Sequence, residues 1–297
     1  MKNTFKGLLR LTHFNEYAWF VVITTILGIT SAKGQLTWQF AAVLAANLLT
    51  VGFAFMVNDI ENAPDDALSP AGVSQNPIAS GWLTPKAARL GAFAAALLAG
   101  LLFALLGWIP LIIGLLSLLL GYFYSAKAFQ LKRIVFVNLI AQCLMLAGLQ
   151  FLTGYFSFQT VLTRQWYWPF IFVLTISIYA ELRYGTFKIK TNSDRAANSP
   201  ESRTSHALML AVLLIGLFSG FVSFITLNLI PFWAIMILLV LTALFLIPLI
   251  IKSRNRETRS TIQNSLLKPV ERAAAIALLL QYILPWLNQL VDLGIFK

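Results

Sequence analysis

The stretch WQFAAVLAANLLTVGFAFMVNDIENAPDDA, Trp38 to Ala67, changes character partway along. Its first twenty residues, Trp38 to Val57, carry no charge. The eleven residues from Val57 to Ala67 then hold four acids, Asp59, Glu61, Asp65 and Asp66. A helix of about 20 apolar residues crosses the hydrocarbon core of a bilayer. The segment therefore reads as a membrane span whose polar end carries a carboxylate cluster.

The rest of the chain has the same composition. Of 297 residues, 59% are hydrophobic and 11% charged, with a mean hydropathy of +0.78. A soluble domain carries about 25% charged residues, so the fold class is an all-α polytopic membrane bundle. Nine transmembrane helices are expected: Tyr17–Ala32, Trp38–Val57, Ala87–Gly107, Ile109–Ser125, Val135–Phe156, Trp166–Leu182, Ala207–Leu227, Ile230–Ile251 and Ala273–Leu293. Residues 1–297 read as one transmembrane domain, with acidic loops at about 58–86 and 182–206. Small residues in the third span, Ala92, Ala94, Ala95, Ala96 and Gly100, suit close helix packing. The lone Cys143 excludes an internal disulfide framework and any multi-cysteine zinc site. No cleavable signal peptide is evident near Met1 to Arg10.

Charge gives the orientation. With the N-terminus inside, nineteen of the 22 Lys and Arg fall on the cytoplasmic side, leaving only Lys33, Arg164 and Lys297 outside. Membrane proteins hold their excess Lys and Arg in cytoplasmic loops. The expected localisation is thus an inner or plasma membrane, with the N-terminus cytoplasmic and the C-terminus outside. The same bias explains the net charge of +11 without nucleic acid.

Seven of the eleven acids fall in two cytoplasmic segments: Asp59, Glu61, Asp65 and Asp66 after span two, and Glu181, Asp194 and Glu201 after span six. Lys127, Lys132, Arg133, Arg195 and Arg203 share that face. Mg2+ takes carboxylate and phosphate oxygens and bridges protein to phosphate. Carboxylates with cations at a membrane face suit a bound diphosphate. Solvated loop acids give the plainer account of any single position.

At this point the chain resembles the UbiA-type superfamily of intramembrane prenyltransferases. The family's first motif reads Asn-Asp-x-x-Asp-x-x-x-Asp. Here Asn58, Asp59 and Asp66 match, and Asn62 replaces the middle aspartate beside Glu61. Gln75-Asn76-Pro77-Ile78-Ala79-Ser80-Gly81 keeps the family's Pro-x-x-x-Gly turn but lacks its preceding arginine. Tyr122-Phe123-Tyr124-Ser125 with Leu131-Lys132-Arg133 is similar to a Tyr-Ser…Leu-Lys element. Glu181-Leu182-Arg183-Tyr184, Asp194-Arg195-Ala196-Ala197 and Arg203-Thr204 resemble the second acidic motif with one aspartate missing.

The resemblance implies Mg2+-dependent transfer of a prenyl group from a polyprenyl diphosphate to a lipophilic acceptor within the bilayer. It implies metal ligands at Asn58, Asp59, Asn62 and Asp66 and, for a second ion, Glu181 and Asp194. Asn76, Lys132, Arg133 and Arg195 would bind substrate. Asp59, Asp66 and Tyr124 would be catalytic, Tyr124 as a hydrogen-bond donor or cation stabiliser. An interfacial aromatic belt equally accounts for Tyr122 and Tyr124. His13 and His206 read as surface or interfacial residues without partners. Other readings stay open: a non-catalytic lipid-binding or scaffold member, a phosphoribosyl-transferring branch of the superfamily, and a transporter. Transporters usually place ionisable residues near the bilayer midplane, and no expected span interior carries a clear charge.

Overall fold

A computed structural model describes residues 2–190, 200–229, 236–237, 240, 244 and 268–292. Among these residues the fold is all-helical, with no strand. Six helices are long and apolar enough to cross a membrane: Trp38–Asp66, Pro85–Leu106, Trp108–Ser125, Phe136–Phe156, Ala207–Thr226 and Lys268–Asn288. The expected first and sixth spans are also helical. Most of the expected span Ile230–Ile251 lies outside the described residues, as do Asp194 and Arg195.

The chain divides into two compact units, Met1–Leu162 with Trp286–Lys297, and Thr163–Pro285. In the first unit, α1 (Lys2–Leu11) leads into α2 (Phe14–Ser31) through His13, whose φ is 51°. The long α3 (Trp38–Asp66) follows. It corrects the sequence reading at one point: Asn58 to Asp66 are the last turns of this helix and not a loop. A proline inside a helix removes one backbone hydrogen bond, yet α3 continues past Pro64. In the turns before Pro64, Met56 and Ile60 are held in a cluster with Leu8, Leu11, Leu83, Ala88 and Ala92.

Two capped helices come next. In α4 (Pro70–Gln75) the Ser69 hydroxyl accepts from Gly72 N, and in α5 (Pro85–Leu106) the Thr84 hydroxyl accepts from Ala87 N. Each has Pro at the first helical position, where the missing N–H is no loss. The small-residue stripe of α5 is Ala88, Ala92, Ala95 and Ala99, all buried. Ala94 is exposed and Gly100 faces open space, so neither belongs to it. Gly107, at φ 124°, turns the chain directly into α6 (Trp108–Ser125), a backbone region that favours glycine.

The expected fifth span comprises α7 (Val135–Cys143), a π turn at Leu144–Gly148, and α8 (Leu149–Phe156). Here α2 and α8 cross backbone to backbone. A methyl group added to Gly28 would strike the Phe151 carbonyl, and one added to Gly154 would meet the Thr25 carbonyl at 2.5 Å. A polar network fills the crossing. Asn47 Nδ2 donates to Thr25 Oγ1 (2.8 Å) and to the Gln150 carbonyl (3.0 Å), and Thr153 Oγ1 donates to Asn47 Oδ1 (2.8 Å). Gln150 Nε2 donates to Ser117 Oγ (3.2 Å) and to the Met145 carbonyl within the π turn (2.8 Å). Hydrogen bonds of this kind join helices where water is absent.

The second unit contains α9 (Tyr167–Lys190) and α10 (Pro200–Thr226). They meet through Tyr179, Met209 and Leu213, with Gly216 and Gly220 against Thr175 and Phe172. The final described helix is α11 (Lys268–Asp292).

Candidate functional site

The candidate site in the first unit is assembled on the last turns of α3. A helix places residues four apart on one face, so Asn58, Asn62 and Asp66 align and Asp59 lies one step round. Two of these side chains interact directly: Asn62 Nδ2 donates to Asn58 Oδ1 at 3.2 Å.

Lys132 reaches this face from a short 3-10 turn, Leu131–Arg133, in the connection between α6 and α7. Its Nζ donates to Asn62 Oδ1 at 2.8 Å and to Asn58 Oδ1 at 3.0 Å. Ser125 Oγ, at the end of α6, also donates to Asn58 Oδ1 at 3.2 Å. The same connection touches Glu61, whose Oε2 accepts from the Lys127 backbone N–H at 3.3 Å. Arg133 and Lys127 have exposed side chains.

Asn76 ties the turn after α4 to the same helix end. Its Nδ2 donates to the Asp59 carbonyl and to Asp66 Oδ2, both at 2.8 Å, while its Oδ1 accepts from Ile78 N at 2.9 Å. The side chain is 2% exposed and its polar atoms are engaged within the protein. It therefore anchors the turn at the polar end of α3. The expected Pro77–Gly81 turn is present: Gly81 has φ 74°, and Leu83 N donates to the Pro77 carbonyl.

Asp59 has a partner that the sequence reading did not assign. His13 Nε2 lies 2.9 Å from Asp59 Oδ2, and His13 Nδ1 lies 2.9 Å from Glu16 Oε1. The hydrogen bond to Asp59, reinforced by that to Glu16, outweighs burial and raises the His13 pKa to about 10. At neutral pH the ring is thus an imidazolium donating from both nitrogens. It stacks on Phe55, which stacks on Tyr17. His13 is not a lone interfacial residue. Glu16, three positions away, was a visible local partner, whereas Asp59 is 46 positions distant.

Tyr124 OH donates to Asn138 Oδ1 at 2.7 Å and accepts from Gln142 Nε2 at 2.5 Å. The signal for this cluster was available as two amides four residues apart in an apolar span. Tyr122 is 45% exposed. In the second unit, Glu181 lies on α9 and is half-buried.

Among the described residues, no group of three or more His, Cys, Asp and Glu converges to hold a metal ion. The donor set on α3 fits a divalent cation only in part. Asp66 supplies a carboxylate, but Asn58 and Asn62 offer neutral amide oxygens that Lys132 already holds, and Asp59 is paired with His13.

A family model for the UbiA prenyltransferase family matches residues 21–267, and the chain belongs to that family. It is an integral membrane protein of the prenyltransferase class. A structure of a UbiA homolog from Archaeoglobus fulgidus is 16% identical, with a TM-score of 0.64 over 92% of this chain and 98% of the other. The same homolog bound to GPP and Mg2+ is 17% identical, with a TM-score of 0.61 over 92% and 99%. A structure of digeranylgeranylglyceryl phosphate synthase is 18% identical, with a TM-score of 0.67 over 95% and 99%. These likenesses show a shared fold. No curated protein sequence matches the chain.

Proposed function

We propose that this chain transfers a prenyl group from a polyprenyl diphosphate to a lipophilic acceptor in the membrane, with Mg2+ as cofactor. The observation that supports it most is the end of α3, where Asn58, Asn62 and Asp66 finish an apolar helix and Lys132 is brought onto the same face. A diphosphate head needs polar partners and its tail needs an apolar chamber, and this face lies where the two meet. GPP with Mg2+ in the archaeal homolog supports the same ligand class. The topology that suits the reading is one domain of nine spans, with the N-terminus cytoplasmic and the C-terminus outside.

In the reaction the allylic C1–O bond breaks and its electron pair leaves with the diphosphate. The acceptor then bonds to C1 and loses a proton to the diphosphate or to water. Lys132 and Arg133 would offer positive charge to the phosphate oxygens, and Arg195 is the candidate cation of the second segment. Asp66 would hold a metal ion, which when bound would neutralise charge developing on the leaving group, and Glu181 and Asp194 are the candidate ligands of the second acidic segment. Asp59, paired with His13, fixes the helix end that carries Asp66. Tyr124, its hydroxyl held by Asn138 and Gln142, offers an aromatic face worth about 0.5–2 kcal/mol to an allylic cation. The surrounding apolar helices keep water from capturing that cation.

A non-catalytic diphosphate-lipid binder is the second reading, favoured by Asn62 in place of an aspartate and by Lys132 on both amides. The two are separated by turnover. Protein in nanodiscs, supplied with Mg2+, prenyl diphosphates of several lengths and a panel of lipophilic acceptors, is expected to release diphosphate and form a prenylated product. Asp66→Ala is expected to remove both. Saturable binding without product across the panel would establish the second reading instead.

A further inference from the structure

We propose that the Lys132 ammonium is a built-in cation, seated between Asn58 and Asn62 where a divalent ion was expected, so that this chain binds its diphosphate with one divalent ion fewer than two acidic motifs imply. The proposal rests on the prenyl-diphosphate reading above and specifies how that site is charged.

Chemistry and geometry agree on this point. Mg2+ requires near-octahedral oxygen ligands at about 2.0–2.1 Å and is held chiefly by carboxylates and substrate phosphates. The two residues in question supply neutral amide oxygens. Those oxygens lie 2.8 and 3.0 Å from Lys132 Nζ, ordinary distances for an ammonium donor. Ser125 Oγ and Asn62 Nδ2 also donate to Asn58 Oδ1, so four polar groups keep the arrangement in register. A divalent ion on the same oxygens would sit against a like charge. Of the two carboxylates adjacent in sequence, Asp59 is engaged by His13 and Glu61 accepts from the Lys127 backbone N–H. Lys132 thus places an ammonium on the two amides at this end of α3, while Asp66, on the next turn, keeps a carboxylate for the metal that accompanies the diphosphate, its Oδ2 also accepting from Asn76 Nδ2.

The count of bound ions tests this without relying on turnover. Mn2+ replaces Mg2+, and geranyl thiolodiphosphate, which resists cleavage, serves as the probe. Electron paramagnetic resonance titration of wild-type protein in nanodiscs is expected to show about one thiolodiphosphate-dependent Mn2+ per chain. Two would overturn the proposal while leaving the prenyl-diphosphate reading intact. No thiolodiphosphate-dependent Mn2+ at all would overturn that reading and this proposal with it. Asn62→Asp combined with Lys132→Met restores the carboxylate and removes the ammonium, and is expected to gain a second Mn2+. A folded double variant, by melting profile, that still binds one would overturn the assignment to Asn58 and Asn62. The wild-type count decides the matter even where the variant fails to fold.

Discussion

His13 Nε2 lies 2.9 Å from Asp59 Oδ2, joining the residue before α2 to the polar end of α3. The Asp59 side chain is 9% exposed, so its carboxylate is withdrawn from water and its charge is met by the imidazolium. The pair sets the orientation of the helix end on which Asn58, Asn62 and Asp66 are displayed.

The pH dependence follows from the sign of the His13 shift. Its folded pKa is raised from 6.5 to about 10 by the hydrogen bonds to Asp59 and Glu16. The stabilisation is therefore complete below pH 6.5 and is lost as pH rises toward 10. Thermal unfolding of the detergent-solubilised protein is expected to show a melting temperature that falls across this window. His13→Gln is expected to flatten that part of the profile. It should also cost about 3 kcal/mol at neutral pH by leaving a buried charge without its partner. An unchanged slope in the variant would separate His13 from the pH dependence.

Asn76 should show a graded response to substitution. Asn76→Ala removes donors to the Asp59 carbonyl and to Asp66 Oδ2 and is expected to destabilise by about 1–3 kcal/mol. Asn76→Asp places a carboxylate against Asp66 and is expected to be worse than alanine. Denaturant or thermal unfolding of the three proteins gives the ordering, and aspartate equal to wild type would contradict it.

The α2–α8 crossing should tolerate no added methyl. Gly28→Ala and Gly154→Ala each drive a Cβ into the carbonyl of the facing helix and are expected to cost about 1–3 kcal/mol. Gly100→Ala has open space around it within α5 and is expected to hold or slightly raise the melting temperature, since alanine is the better helix former. Equal effects at all three positions would contradict the close approach.

Much of this architecture could be read before the structure, because apolar length and charge bias act residue by residue. The run from Trp38 to Val57 announces a helix by composition alone. Composition did not show that the helix runs on through Pro64 to Asp66, because a proline and four acids read locally as a helix stop. The site was legible as a set of residue types at motif spacing. Their pairing was not. Lys132 is 70 positions from Asn62, and His13 is 46 from Asp59. Asn76 was expected at substrate from its place in a motif, and the fold engages its polar atoms in holding the turn. In α5, packing geometry selects Ala88, Ala92, Ala95 and Ala99 over the equally small Ala94 and Gly100.

The central claim is that the end of α3 receives a prenyl diphosphate, and a structure of the protein in nanodiscs with Mg2+ and geranyl thiolodiphosphate tests it most directly. The account predicts phosphate oxygens within hydrogen-bond distance of Lys132 Nζ, with the metal on Asp66 and the prenyl chain running into the apolar helices. A head group bound away from α3, or on the opposite side of the membrane, would contradict it.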